Sequence, residues 1–232
     1  MTSPSARIEG GSVSIGDDNR PAWGEDRTLS TAIRFLRSLD MPQPLRLVAL
    51  FVFLLPLIAP ASAVQADILE RLSEPRTHAV MRHALAPGRT DPEDFDLRDC
   101  STQRNLNDTG RSQAAVAGRM VRAAGVEIDH LWSSAYCRCL ETARLMELGP
   151  VETRSMLSSF IVQRWRGTAQ TEETQEALAA LPAEETAFLV THNVNAEALT
   201  GVRPISGEIQ VVRVAEDGTV ELLGSVKVPF SD

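Results

Sequence analysis

Three stretches of the chain carry side chains suited to phosphoryl chemistry. The apolar run "THAVMRH" (77–83) ends in Arg82 and His83 and then breaks into a loop with Pro87 and Gly88. The segment "SSAYCRCLETA" (133–143) follows another apolar run with Ser133 and Ser134 and places Arg138 at the start of a helical pattern. The run "TAFLVTH" (186–192) again stops at a histidine, His192. Two guanidinium groups can hold the non-bridging oxygens of a phosphate monoester in fork geometry. A neutral imidazole is a competent nucleophile toward phosphorus. Nearby cations favour the neutral ring, so Arg82 and Arg138 would keep His83 unprotonated at neutral pH. A second imidazole, His192, can donate to the oxygens as charge develops. The N-terminus of the helix at 137 adds free amides and a favourable dipole. No metal or other cofactor is called for, because the arginines supply the charge. Taken singly, His83 reads as a structural hydrogen bonder and Arg138 as a helix-surface residue; only their convergence makes a site.

That convergence depends on the elements around these residues. From about residue 66 the pattern alternates strands and helices. Strands are predicted over 77–83, 127–135, 151–157 and 186–192. Helices are predicted over 109–125, 137–149, 171–181 and from 193 to about 201. The first helix is expected to be capped by Thr109, to bury Ala115, Val116, Met120 and Val121, and to stop at Gly125. The helix over 171–181 is expected to carry acids in its first turn, where the dipole favours them. A closing hairpin is expected around Asp217-Gly218. Alternating strands and helices predict a three-layer α/β/α sandwich on a mostly parallel sheet. In such sheets ligands sit beyond the carboxyl ends of the strands, which is where Arg82, His83, Ser133, Ser134, Arg138 and His192 fall.

The chain has 232 residues and 43% hydrophobic residues, enough for one domain with extras. A net charge of −8 argues against a general nucleic-acid footprint. Lys227 is the only lysine, so a cationic pocket here must be built from arginine. Residues 47–59, "LVALFVFLLPLIA", form a short apolar run with Arg46 before it and Ala61-Ser62-Ala63 after it. That shape describes a secretory signal peptide, with cleavage after Ala63 or Ala66; an uncleaved anchor is the alternative. The reading is therefore a disordered leader or mis-assigned start over 1–40, a signal peptide over 41–63 and one domain over 64–232. The protein would be periplasmic or secreted and would meet the membrane only through the signal peptide. Export implies an oxidising compartment. Of Cys100, Cys137 and Cys139, Cys137 and Cys139 point to different faces of a helix and do not suit each other. Two arrangements stay open: a bridge from Cys100 to one of them, or three buried free thiols.

"MRHALAPG", "SSAYCRCLETA" and "VTHNVNAEALTG" together resemble the histidine phosphatase superfamily, with its phosphoglycerate mutase-like fold. The resemblance spans about 75–215. It rests on Arg82-His83, on Ser133, Ser134, Arg138, Thr142 and Ala143, and on His192. It implies that His83 is the phosphorylated nucleophile and that Arg82, Arg138 and His192 complete the phosphate pocket, without a metal. "DCSTQRNLNDTGRSQA" resembles the family's stretch before its first long helix, which would bring Arg104, and Arg111, toward the substrate. Ala84 stands where the family usually has glycine. No acid occurs from 155 to 170, where mutase-like members carry a glutamate. Glu208 is one candidate proton donor; Asp91, Asp94, Asp96 and Asp99 are others. The implied activity is an exported, metal-independent phosphomonoester hydrolase acting on a small phosphorylated substrate through phosphohistidine. A catalytically weak phosphate- or sugar-phosphate-binding module on the same fold is the alternative, and a mutase fits the short chain less well. The substrate and the oligomeric state are not named by the sequence.

Overall fold

The structure, a computed structural model, describes residues 61–229. The leader over 1–40 and residues 41–60 of the signal segment lie outside the described residues. No helix among the described residues is long and apolar enough to cross a membrane.

The elements run α1 (Ala61–Glu70), β1 (Thr77–Arg82), α2 (Asp108–Ala123), β2 (His130–Ser133), α3 (Cys137–Met146), β3 (Val151–Thr153), α4 (Gly167–Ala179), β4 (Ala187–Thr191), α5 (Asn193–Thr200), β5 (Ile209–Val214) and β6 (Val220–Val226). The six strands form one sheet in the order β3-β2-β4-β1-β5-β6. β3, β2, β4 and β1 are parallel, and β5 and β6 add an antiparallel edge. Central strands buried on both faces read as continuous apolar runs, and β1 and β4 do so. Ala79, Met81, Phe188 and Val190 face one core, with Ala117, Val121, Ala143 and Met146. Val80, Ala187 and Leu189 face the other, with Leu178, Ala196 and Leu199. Helices therefore cover both faces, and the three-layer expectation holds.

The topology has a simple cause. β1–α2–β2 and β2–α3–β3 step outward along the sheet, whereas β3–α4–β4 steps back. With one preferred crossover hand, the returning helix must lie on the opposite face. Loops leaving the adjacent strands β1 and β4 then diverge to different faces and open a crevice between them.

Local readings needed correction. Asn107, not Thr109, caps α2: its side chain accepts from the Gly110 amide at 2.8 Å. α2 buries Gly110, Gln113, Ala114, Ala117, Gly118 and Val121, not Ala115, with Val116 and Met120 only partly covered. Small residues win because α2 and α3 approach closely; a Cβ at Gly118 would stand 1.9 Å from the Met146 carbonyl oxygen. α4 starts at Gly167, so its first turn carries no acid. Residues 151–157 hold only a three-residue strand, followed by a 3-10 turn that buries Met156 and Leu157. The closing hairpin is present, with Gly218 at φ +82° in the turn.

Candidate active site

Parallel pairing of β1 with β4 sets Arg82 opposite Thr191, so His83 and His192 leave neighbouring strands side by side. The His83 amide continues the ladder to the Thr191 carbonyl at 2.9 Å. The two rings meet edge-on with centroids 5.5 Å apart. β2 lies on the other flank of β4, which brings Ser134 and the start of α3 to the same rim.

Arg138 joins the group. Its Nε donates to His83 Nε2 at 3.2 Å, and its Nη1 donates to Asp91 Oδ1 at 2.9 Å. Its Nη2 lies 3.4 Å from His192 Nδ1. The guanidinium stacks on Tyr136, 4.5 Å from the ring centroid, and Tyr136 in turn meets the His192 ring edge-on. Arg138 is only 3% exposed, so its direction is set by packing. Thr142, one turn along α3, donates to the Arg138 carbonyl and accepts from the Ala84 amide at 3.1 Å. It locks the start of the loop after His83 to the helix that carries Arg138.

His83 Nδ1 lies 2.8 Å from the Ala84 carbonyl oxygen. A carbonyl only accepts, so Nδ1 carries the proton and Nε2 keeps its lone pair. Burial first, then the Arg138 charge, holds His83 well below its ordinary pKa; the bond to Ala84 opposes this, and Arg82 and Arg104 add to the lowering. Burial, the neighbouring His83 and Arg138 push His192 down likewise. Both rings are neutral at pH 7.

Arg82 is half-buried, and its Nη1 reaches the Pro204 carbonyl at a long 3.4 Å. Arg104 is placed beside the pocket, and its charge is felt by His83, His192 and Arg82. Its Nη1 also clips the loop by donating to the Ala86 and Gly88 carbonyls, each at 2.7 Å. The Nε atoms of Arg82 and Arg104 are buried and find no acceptor among the described residues. Buried donors without partners are costly.

The remaining candidates separate. Glu208 is buried beside β1: its Oε2 accepts from the Ile205 amide at 2.9 Å, closing its own loop, while its backbone carbonyl takes the Arg82 amide. Asp91 is the acid that the structure brings to Arg138, and the same oxygen accepts from the Arg104 amide at 2.9 Å. Asp96 pairs with Arg98, and Asp99 caps the turn at Ser101. Arg111 is held at the surface by Asp108 and Glu141, away from the role suggested for it. Cys100 and Cys137 form a disulfide; Cys139 is a buried free thiol, its pKa pushed up to about 12 chiefly by burial.

Sequence reasoning placed Ser134 at the rim without giving it a role, and it missed Gln113. Ser134 Oγ lies 2.9 Å from His192 Nε2 and takes the Tyr136 amide at 3.4 Å. Gln113 is fully buried on α2 and holds the Leu85 amide and the Ser206 and Val228 carbonyls. A glutamine on an otherwise small, apolar helix face was the available signal. No group of three or more His, Cys, Asp or Glu side chains able to hold a metal occurs among the described residues. An open groove of about 460 Å³ between α4 and the β5–β6 turn is lined by Glu172, Glu176, Glu216 and Asp217, charges that repel an anion.

Residues 79–202 match the model of the histidine phosphatase superfamily, branch 1. The chain belongs to that superfamily. No curated protein sequence matches it significantly. Among solved structures, one assigned as the phosphohistidine phosphatase SixA of Nakamurella multipartitia is 21% identical, with a TM-score of 0.50 over 67% of this chain and 99% of that one. A counterpart from Agrobacterium tumefaciens is 18% identical, with a TM-score of 0.50 over 66% of this chain and 99% of that one. The likeness to both is one of fold.

Proposed function

We propose that this superfamily member hydrolyses phosphomonoesters through a phosphorylated His83. The observation that carries the reading is a neutral, buried imidazole with its Nε2 lone pair free of a proton, set among Arg82, Arg104 and Arg138. His83 Nε2 attacks phosphorus; the P–N bond forms as the P–O bond to the leaving group breaks. The Ala84 carbonyl stabilises the positive charge that develops at Nδ1. Water then attacks phosphorus and gives up a proton to solvent, the P–N bond breaks with its electron pair returning to His83 Nε2, and phosphate leaves.

Arg138 and Arg82 hold the equatorial oxygens, with Arg104 adding charge. The guanidiniums supply the positive charge, so the reading assigns no metal. Arg138 Nη2 can only donate, so His192 Nδ1 accepts from it and the ring carries its proton on Nε2, donating to Ser134 Oγ. An arriving phosphate oxygen takes the Nη2 donor in place of Nδ1. Asp91, bonded to both Arg138 and the Arg104 amide, serves as an acceptor that orients the fork. An oxygen leaving group of low pKa, which departs without a proton, therefore suits this site better than an unactivated alcohol.

Export to an oxidising compartment is part of the proposal and is supported by the Cys100–Cys137 bridge; a periplasmic or secreted location is tested by cell fractionation. The catalytic proposal is tested by turnover of p-nitrophenyl phosphate in the presence of a chelator, comparing wild type with His83→Ala. Turnover lost in the variant is expected. Turnover that survives would remove the nucleophile, and saturable phosphate binding without any turnover would make the protein a binding module.

A further inference from the structure

The loop between His83 and α2, residues 84–107, carries two groups of the site, Asp91 and Arg104. Its regular structure is a single 3-10 turn, Cys100–Thr102. Such a loop has no ladder to fix it. Asp91 draws it toward Arg138, while the charge of Arg138 repels Arg104. Before an anion arrives, that repulsion works against the placement of Arg104.

One covalent tie opposes this. Cys137 is the first residue of α3 and the immediate neighbour of Arg138; Cys100 lies four residues before Arg104. Gln103 runs a parallel route: its Oε1 accepts from the Cys137 amide at 3.0 Å, and its Nε2 donates to the Asp96 carbonyl at 2.9 Å. Asn105 donates to the Cys100 carbonyl at 2.6 Å, directly after Arg104. These contacts lead from the bridge to the backbone of Arg104, whose amide Asp91 holds while also holding Arg138.

We propose that the Cys100–Cys137 disulfide is a positioning device that sets Arg104 and Asp91 against Arg138, so that affinity for the phosphate group depends on the bridge. The proposal rests on the phosphate-site reading above. Preorganising a charged loop lowers the cost of binding rather than altering the groups that react. Ground-state affinity should therefore move more than the chemical step.

The test compares intact wild type with Cys100→Ser/Cys137→Ser, which leaves Cys139 no partner for a new bridge. The Kd of inorganic phosphate is measured by calorimetry, beside kcat and KM for p-nitrophenyl phosphate and the melting temperature. The expected result is that Kd and KM rise together by about tenfold, the scale of one charge-assisted hydrogen bond, while kcat changes by less than about threefold. A lower melting temperature with unchanged phosphate Kd would overturn the proposal, leaving the bridge a purely structural staple. If the double variant does not fold, folded wild type is reduced with a water-soluble phosphine. That reaction passes two electrons to the disulfide, gives two thiols with protons from water and leaves the phosphine oxide; the same rise in Kd is expected, and an unchanged Kd refutes the proposal. Absence of turnover in the intact protein would sink the hydrolase reading, yet the phosphate Kd would still decide this one.

Discussion

Strand β1 carries a histidine near each end, and the two teach what burial alone does not do. His78, near the start, and His83, just past the end, are 1% and 2% exposed. Burial is the first cause of a lowered pKa in both, which takes His78 down to about 4. Their partners differ. His78 Nδ1 accepts from the Ala187 amide at 3.2 Å, joining β1 to the start of β4. His83 offers its lone pair to Arg138, beside a second imidazole and two further guanidiniums. A neutral buried histidine is a structural acceptor at the amino end of the sheet and, in the reaction proposed above, the nucleophile at the carboxyl end. The difference lies in the guanidiniums of Arg82, Arg104 and Arg138, which gather around His83 at the carboxyl end.

The largest expected effect breaks the comparison directly. His83→Ala should lower kcat by about 10³-fold or more, while His78→Gln should leave kcat/KM within about threefold. Steady-state assays of both variants check this, and equal losses would erase the distinction. Arg138→Lys keeps the charge but loses the planar fork; a fall of about 10²-fold in kcat/KM is expected, on the scale of one lost oxyanion donor.

Stability sharpens the comparison next. Removing the Cys100–Cys137 bridge, with its sequence separation of 37, should cost about 4 kcal/mol by the loop-entropy argument, read by denaturant unfolding. The buried histidines add a pH dependence. Folded His78 binds its proton only near pH 4, whereas the unfolded ring binds it near 6.5. Between those values the unfolded chain holds the extra proton, so stability should fall as pH drops from 6.5 toward 4 and be insensitive to His78 above that window. For catalysis, the lowered His83 predicts an acid limb of kcat/KM well below pH 6.5; a limb centred near 6.5 would contradict the burial argument. The smallest effect belongs to Glu208→Gln. The amide oxygen can still accept from Ile205, so kcat should stay within about twofold of wild type, with no shift in the pH profile.

Much of this was legible in the sequence, for a physical reason. A strand buried on both faces must be apolar throughout, so polar residues where it stops stand out, and Arg82-His83 and His192 did. The segment from Ser133 to Ala143 placed Arg138 on a first helical turn by spacing alone. The loop from 84 to 107 was opaque because it has no period. Nothing in it marks Asp91 over Asp94, Asp96 or Asp99 as the partner of Arg138, or Arg104 over Arg111 as the arginine near the pocket. The choice of Cys137 over Cys139 depends on the path of that same loop. Nearness of Glu208 to the rim in sequence says nothing of its direction; in the fold one of its oxygens accepts from the Ile205 amide. Helix α2 misled because close approach to α3 selected small residues over large ones.

The central claim is that His83 becomes phosphorylated. Protein mixed with p-nitrophenyl phosphate, quenched in alkali where a phosphoimidazole survives, and mapped by mass spectrometry tests it most directly. The account predicts one added phosphoryl group on the peptide containing His83, labile in acid and absent from His83→Asn. A phosphoryl group on another residue, or full turnover in His83→Asn, would contradict it.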